Sequence, residues 1–210
     1  MRLRLDEAEA RLTLTCPWRT SRKAALSWAV EQSEWIDAQI ARAEPGRPFA
    51  PGTQIPVEGR LRQIIWDAAA PRRVDFDEFA LRCGGPAAGL ARRIESFLKA
   101  RALEVMTSEV AEFAGRAGVA ARSVRIGDAR SCWGSCSSDG RIRLSWRLIL
   151  ALPDVRRFVV AHEVAHLRHL DHGPAFKALE AELVGPGLAE ARSALRRLGP
   201  GLRRVGRNGL

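Results

Sequence analysis

All four histidines of this 210-residue chain fall within eleven consecutive residues, the string His162-Glu163-Val164-Ala165-His166-Leu167-Arg168-His169-Leu170-Asp171-His172. Nothing else in the sequence constrains the fold as tightly, because no other segment can supply an imidazole. On an α-helix, positions i and i+4 lie one turn apart on one face, so His162 and His166 can converge on one cation. Phe158, Val159, Ala161, Ala165 and Leu167 make the segment apolar enough for a buried helix. Glu163 follows the first imidazole directly. From that position a carboxylate serves as general base rather than as third ligand. Zinc in such a setting lowers the pKa of its water to about 7 and polarises a carbonyl, which is chemistry for cleaving amides.

A third protein ligand must come from elsewhere. His169 points within about 20° of His162 on a helical wheel at about 100° per residue, so direction favours it. Distance does not: at about 1.5 Å per residue the two Cα atoms stand about 10.5 Å apart, a long reach for nitrogens that sit about 2.0 to 2.1 Å from zinc. Gly173 and Pro174 stop the helix, with Asp171 to Gly173 as the turn and Pro174 as the first residue of a following helix to Val184. In that turn His172 can fold back over the metal. The order of preference is His172 first, Glu180 or Glu182 second and His169 third.

Upstream lies Ser131-Cys132-Trp133-Gly134-Ser135-Cys136-Ser137-Ser138-Asp139-Gly140, then Arg141-Ile142-Arg143-Leu144-Ser145-Trp146. Asp-Gly between two candidate strands is a hairpin signal, and Ile142, Leu144 and Trp146 alternate with polar residues. Together with the histidine helix, this block resembles the YgjP-like metallopeptidase domain, a family of metal-dependent hydrolases related to the SprT-like and WLM zinc metalloproteases. Weaker likeness extends from the strand-rich start through Trp35-Ile36-Asp37-Ala38-Gln39 to Leu195-Arg196-Arg197-Leu198-Gly199. The resemblance implies that His162, His166 and His172 are the metal ligands and Glu163 the catalytic residue. The chain departs from the family in having Cys132 where Arg is usual before Trp-Gly, Lys177 where Trp usually follows Phe, and Asp171 where Asn is common before the third His. A role for that Arg therefore does not carry over.

Cys132 and Cys136 form one C-x-x-x-C without a second pair, short of the four ligands of a structural zinc site. On a strand they would stand about 13 Å apart, and buried small hydrophobes are the better reading. Cys16 and Cys83 read as core residues. Few cysteines and no apolar leader in the opening residues point to free thiols in a cytoplasmic setting. No stretch reaches the roughly eighteen apolar residues of a membrane span.

The rest of the chain reads as α+β. Arg11 to Cys16 alternates as a strand ended by Pro17, and a helix is expected from Ser21 to about Arg42 with Leu26, Trp28 or Ala29, Ile36 and Ile40 buried. Glu44-Pro45-Gly46 ends it. Gln54 to Trp66 and Arg72 to Arg82 suggest strands around a turn at Glu58-Gly59. Trp18, Trp28, Trp35 and Trp66 read as core packing. Ala87 to Gly115 is a long helix, and Val124 to Gly127 a strand entering the hairpin. The expected organisation is a small β-rich N-terminal lobe with one helix over 1–86, a zincin-like lobe over 87–198 carrying the long helix, the hairpin, the active-site helix and C-terminal helices, and a basic tail over 199–210.

Net charge is +10, and the last twenty residues hold six arginines and no acid. Such a tail suits DNA or another polyanion, although a solvated terminus explains it as well. The expected function is a zinc (Zn2+) metallopeptidase acting on protein or peptide substrates. A substrate would lie along Arg141 to Trp146, taken as an edge strand, by β-augmentation. The chain contains no Tyr to steady a developing oxyanion, which leaves His169, Arg130 or Arg147. The competing readings are a non-proteolytic metal-dependent hydrolase, and a metal- or nucleic-acid-binding protein with a vestigial site, which would have no need of Glu163.

Overall fold

A computed structural model describes residues 1–6, 11–42, 45–129 and 131–208. The chain opens with an antiparallel hairpin of β1 (Arg2–Asp6) and β2 (Arg11–Thr15). Two short helices follow, α1 (Arg22–Glu31) and α2 (Ser33–Arg42), where one continuous helix was expected. Ser21 caps α1 by accepting from the Ala24 N–H, and the helix closes at Gln32. The break falls in Glu31-Gln32-Ser33, which offers no apolar side chain to hold a straight helix against a surface, and Ser favours helix starts. The expected buried stripe is absent: Leu26 is 54% and Ile40 43% exposed, and Ala25 alone is buried in the two helices. Trp18, expected in the core, is 87% exposed with Arg19 against its ring, and Trp35 is 39% exposed. Trp66 is part-buried, its indole N–H donating to the Gly85 carbonyl at 2.8 Å. Cys16 is exposed, whereas Cys83 is buried as expected.

A four-stranded sheet comes next, β3 (Gln54–Val57), β4 (Arg60–Asp67), β5 (Val74–Phe76) and β6 (Ala80–Gly84), in the order β3-β4-β6-β5 with β4 and β6 parallel. The β3–β4 turn places both Glu58 and Gly59 at positive φ, 51° and 78°, the conformation of a tight two-residue hairpin loop. The long helix α3 (Leu90–Ala117) presents Leu90, Ile94, Leu98, Met106, Val110 and Phe113 to the interior and closes on Gly118 at φ 65°.

A three-stranded sheet of β7 (Ser123–Gly127), β8 (Gly134–Cys136) and β9 (Arg141–Ser145) then packs on α3. Its order is β7-β9-β8, with β7 parallel and β8 antiparallel to β9. The Asp139-Gly140 turn is where the sequence put it, with Gly140 at φ 80°. The segment Arg141 to Trp146 is not an edge strand, however. It is the centre of the sheet, because β7 adds in parallel on its far side. The two edges are β7 and β8.

A 3-10 turn over Trp146–Leu150 leads into α4 (Pro153–His166), α5 (Pro174–Val184) and α6 (Leu188–Arg204). One apolar core runs from Phe49, Ile55 and Leu81 through α3 and α4 to Leu202 and Val205. Between α3 and α4 it encloses a bidentate ion pair, Arg156 to Glu109, at 2.8 to 3.1 Å. Helix α6 runs through the boundary expected at 198/199. Arg204 and Val205 are fully buried, and Arg47 pairs with Val205 in a parallel bridge. Arg203 stacks over Trp133 at 4.3 Å, so part of the basic C-terminal stretch is built into the fold. Among the described residues no helix is long and apolar enough to cross a membrane.

Candidate metal centre

Helix α4 starts on Pro153 at its first position, with Asp154 in the first turn, and buries Val155, Phe158, Val159, Val160, Ala161, Val164 and Ala165. That apolar stripe fixes the helix rotation and turns His162 and His166 to one half-buried face, ring centroids 5.0 Å apart. The helix stops at His166, well before Gly173-Pro174, so the stop signal read from the sequence came too late in the chain. The His169 carbonyl accepts from Nδ1 of His166 at 3.0 Å, closing the turn just past the helix end. Asp171 Oδ1 accepts from the Gly173 N–H at 3.1 Å, and between these two bonds the chain doubles back.

The reversal brings His172 over the helix. Its Nε2 lies 3.4 Å from Nε2 of His162, and its ring centroid is 4.6 Å from that of His166. One nitrogen from each of His162, His166 and His172 falls within 4.8 Å of the others, a group able to hold a metal ion. The donor set fits zinc. Nitrogens at about 2.0 to 2.1 Å from a tetrahedral centre stand about 3.3 to 3.4 Å apart, the separation of His162 and His172.

Two of the imidazoles are oriented by acceptors that fix the tautomer. Nδ1 of His162 donates to Glu180 Oε1 at 2.7 Å, and Nδ1 of His166 to the His169 carbonyl, which leaves Nε2 of each ring as the nitrogen available to a metal. Burial, and then the two neighbouring histidines, hold His166 below the usual imidazole pKa. Glu180 is 1% exposed and receives Arg192 Nη2 on its other oxygen at 2.6 Å. Glu182 is exposed, whereas Glu180 is a hydrogen-bond partner of His162 and stands outside the group of three imidazoles. Its buried place was legible: Phe176, Leu179, Glu180 and Leu183 form the apolar stripe of α5, with one carboxylate in it. Phe176, 1% exposed, packs its ring 4.5 to 5.0 Å from all three imidazoles.

Glu163, directly after His162 on α4, packs against β8. It is 5% exposed, and burial pushes its carboxyl up to about 7. It rests on β8, where a Cβ at Gly134 would lie 2.5 Å from Glu163 Oε1, so a residue with no side chain is required there. The Cys136 thiol is pushed up to about 11 by burial and by the carboxylates of Glu163 and Asp139, and it stays protonated. Neither Cys132 nor Cys136 joins the histidine group. Arg147, considered for oxyanion stabilisation, is 4% exposed and is held by Asp128 at 2.7 Å and by the Leu202 and Val205 carbonyls. It is committed to tying the 3-10 turn after β9 to the segment after β7 and to the end of α6. Arg130 lies outside the described residues.

The YgjP-like metallopeptidase domain matches residues 1–198. The chain belongs to that family. It is therefore a metallopeptidase; the family implies a metal ion, and the three imidazoles of this YgjP-like chain form a group that could hold one. Among solved structures, the YgjP-like chain is similar to the metallopeptidase zymogen abylysin of Pyrococcus abyssi, at 23% identity and a TM-score of 0.40, over 50% of this chain and 99% of that one. No curated protein matches the chain.

Proposed function

We propose that the protein is a zinc-dependent peptidase in which His162, His166 and His172 hold Zn2+ and Glu163 is the general base. The observation that carries this reading is the convergence of the three imidazole nitrogens within 4.8 Å, with Nδ1 of His162 and of His166 already bound elsewhere. Zinc there would supply Lewis acidity toward the scissile carbonyl and a water acidic enough to attack near neutral pH. Glu163 takes the proton from the attacking water and returns it to the leaving amine. Its carboxyl, near pH 7 through burial, suits a group that must both accept and release a proton in that range. Glu180, anchored by Arg192, keeps the His162 ring in register.

The free edge of β8 offers main-chain groups to an extended peptide, and its first residue, Gly134, lies against the Glu163 carboxylate. A peptide added there would bring a carbonyl past the general base, with β8 taking the part first read into Arg141 to Trp146.

The test is Glu163→Gln in protein loaded with one equivalent of zinc. Metal content should be unchanged, and cleavage of a denatured protein substrate should fall by about 10² to 10⁴. Wild-type cleavage by that variant would overturn the assignment.

A further inference from the structure

The three-stranded sheet has two unlike faces. Ile142, Leu144, Gly134 and Cys136 turn inward to α3 and α4. The outer face carries Arg125, Ser135, Arg141 and Arg143, which line an open groove of about 600 Å3 with Ser137. Arg125 and Arg143 are Cα partners on adjacent strands, and Ser135 continues the same row across β8. Like charges side by side on neighbouring strands are destabilising, and among the described residues neither arginine has a carboxylate partner. Asp139, bound by Arg122 and Arg141, is the one acid at the groove's end. The placement is specific: the Arg143 guanidinium lies across Gly127 of β7, where any Cβ would collide with its Nε. Glycine costs strand stability, and at this position it makes room for that head group.

We propose that this face is an exosite for an acidic, extended segment of the protein substrate. Arg125 and Arg143 stand side by side on neighbouring strands about 4.7 to 4.9 Å apart, so together they can hold acidic side chains of an extended chain that crosses the sheet. The groove contains no aromatic ring, the element on which single-stranded nucleic acid stacks. It also shares a strand with the catalytic centre: Ser135 faces the groove, and Gly134, one residue earlier, faces Glu163. A polypeptide held by the arginines can therefore pass over the β8 edge to the metal side. The proposal rests on the peptidase reading for its purpose, but not for its measurement.

The full-length protein is titrated into a fluorescent deca-glutamate peptide, and binding is followed by anisotropy. Binding is expected to weaken as salt rises to about 0.15 M, where charges are screened beyond about 8 Å. Arg125→Glu/Arg143→Glu should weaken it at least about tenfold, and Arg125→Gln/Arg143→Gln should weaken it less. Arg196→Glu/Arg197→Glu makes the same change in net charge on exposed positions of α6 and should leave binding near wild type. For a cleavable peptide with an acidic tail, the Gln pair should raise KM to that of the untailed peptide with kcat unchanged. Equal loss in the α6 control, absence of binding by the wild type, or preferential displacement by a single-stranded oligonucleotide of equal charge would each overturn the proposal. Binding without cleavage would remove the peptidase and keep the exosite. Cleavage indifferent to the tail would do the reverse.

Discussion

Residues 1–42 and residues 90–205 are both built from amphipathic helices beside short strands, yet only the second region has an interior. In the first, α1 and α2 together bury Ala25, while Trp18, Leu26, Val30 and Ile40 face solvent. In the second, α4 alone buries nine residues, among them the charged Arg156 and Glu163. The difference lies in partners and not in composition. Helix α4 is enclosed by α3, by α5 and α6, and by β8 and β9, whereas among the described residues the N-terminal helices pack chiefly on each other and, for α2, on β1. An apolar stripe becomes a core only when a second surface covers it, and a rigid metal centre needs the covered kind.

The comparison is broken most directly inside the covered region. Glu109→Ala leaves Arg156 charged and buried without its partner, which should cost about 3 to 5 kcal/mol, read as a lower midpoint in urea unfolding. Gly134→Ala forces a methyl against the Glu163 carboxylate and should cost about 1 to 3 kcal/mol, together with a fall in kcat that exceeds any change in zinc content. Glu180→Gln keeps the shape of α5 but weakens the anchor of His162. Zinc affinity should fall about 10- to 100-fold in a chelator competition, with the thermal midpoint of the metal-free protein little changed. In the exposed region Trp18→Ala and Leu26→Ala should each shift stability by no more than about 0.5 kcal/mol. A larger loss at either site would mean that the N-terminal segment is covered in solution.

The same contrast explains what the sequence could and could not tell. Punctuation was legible: Gly173-Pro174 opens α5, Asp139-Gly140 makes the turn before β9, and Glu58-Gly59 turns β3 into β4, because each is a local conformational demand. The pair His162 and His166 was legible from helical spacing, and His172 came forward because the chain had to reverse. The position of β9 was not. Its parallel pairing with β7 is a contact between segments with no shared turn, and nothing in Arg141 to Ser145 distinguishes a centre from an edge. Nor was the fate of Leu26 and Ile40, whose spacing is that of a buried stripe but whose burial depends on a partner the sequence does not name. Glu180 was noticed for its carboxylate and ranked as a ligand. Its burial among Phe176, Leu179 and Leu183, and the proximity of Arg192, make it an acceptor for His162.

The end of α6 reaches two places at once. The main chain of Arg47 bonds to Arg204 and Gly206 on one side, at 3.1 and 2.8 Å, and Arg203 covers Trp133, next to Gly134, on the other. Residues of the α6 end thus fasten the segment leading into the four-stranded sheet to the strand whose Gly134 lies against Glu163. A change at Leu202 would therefore be felt in two directions, in the core that holds Leu202 and Val205 and beside Gly134, through the Arg203 guanidinium on the Trp133 ring.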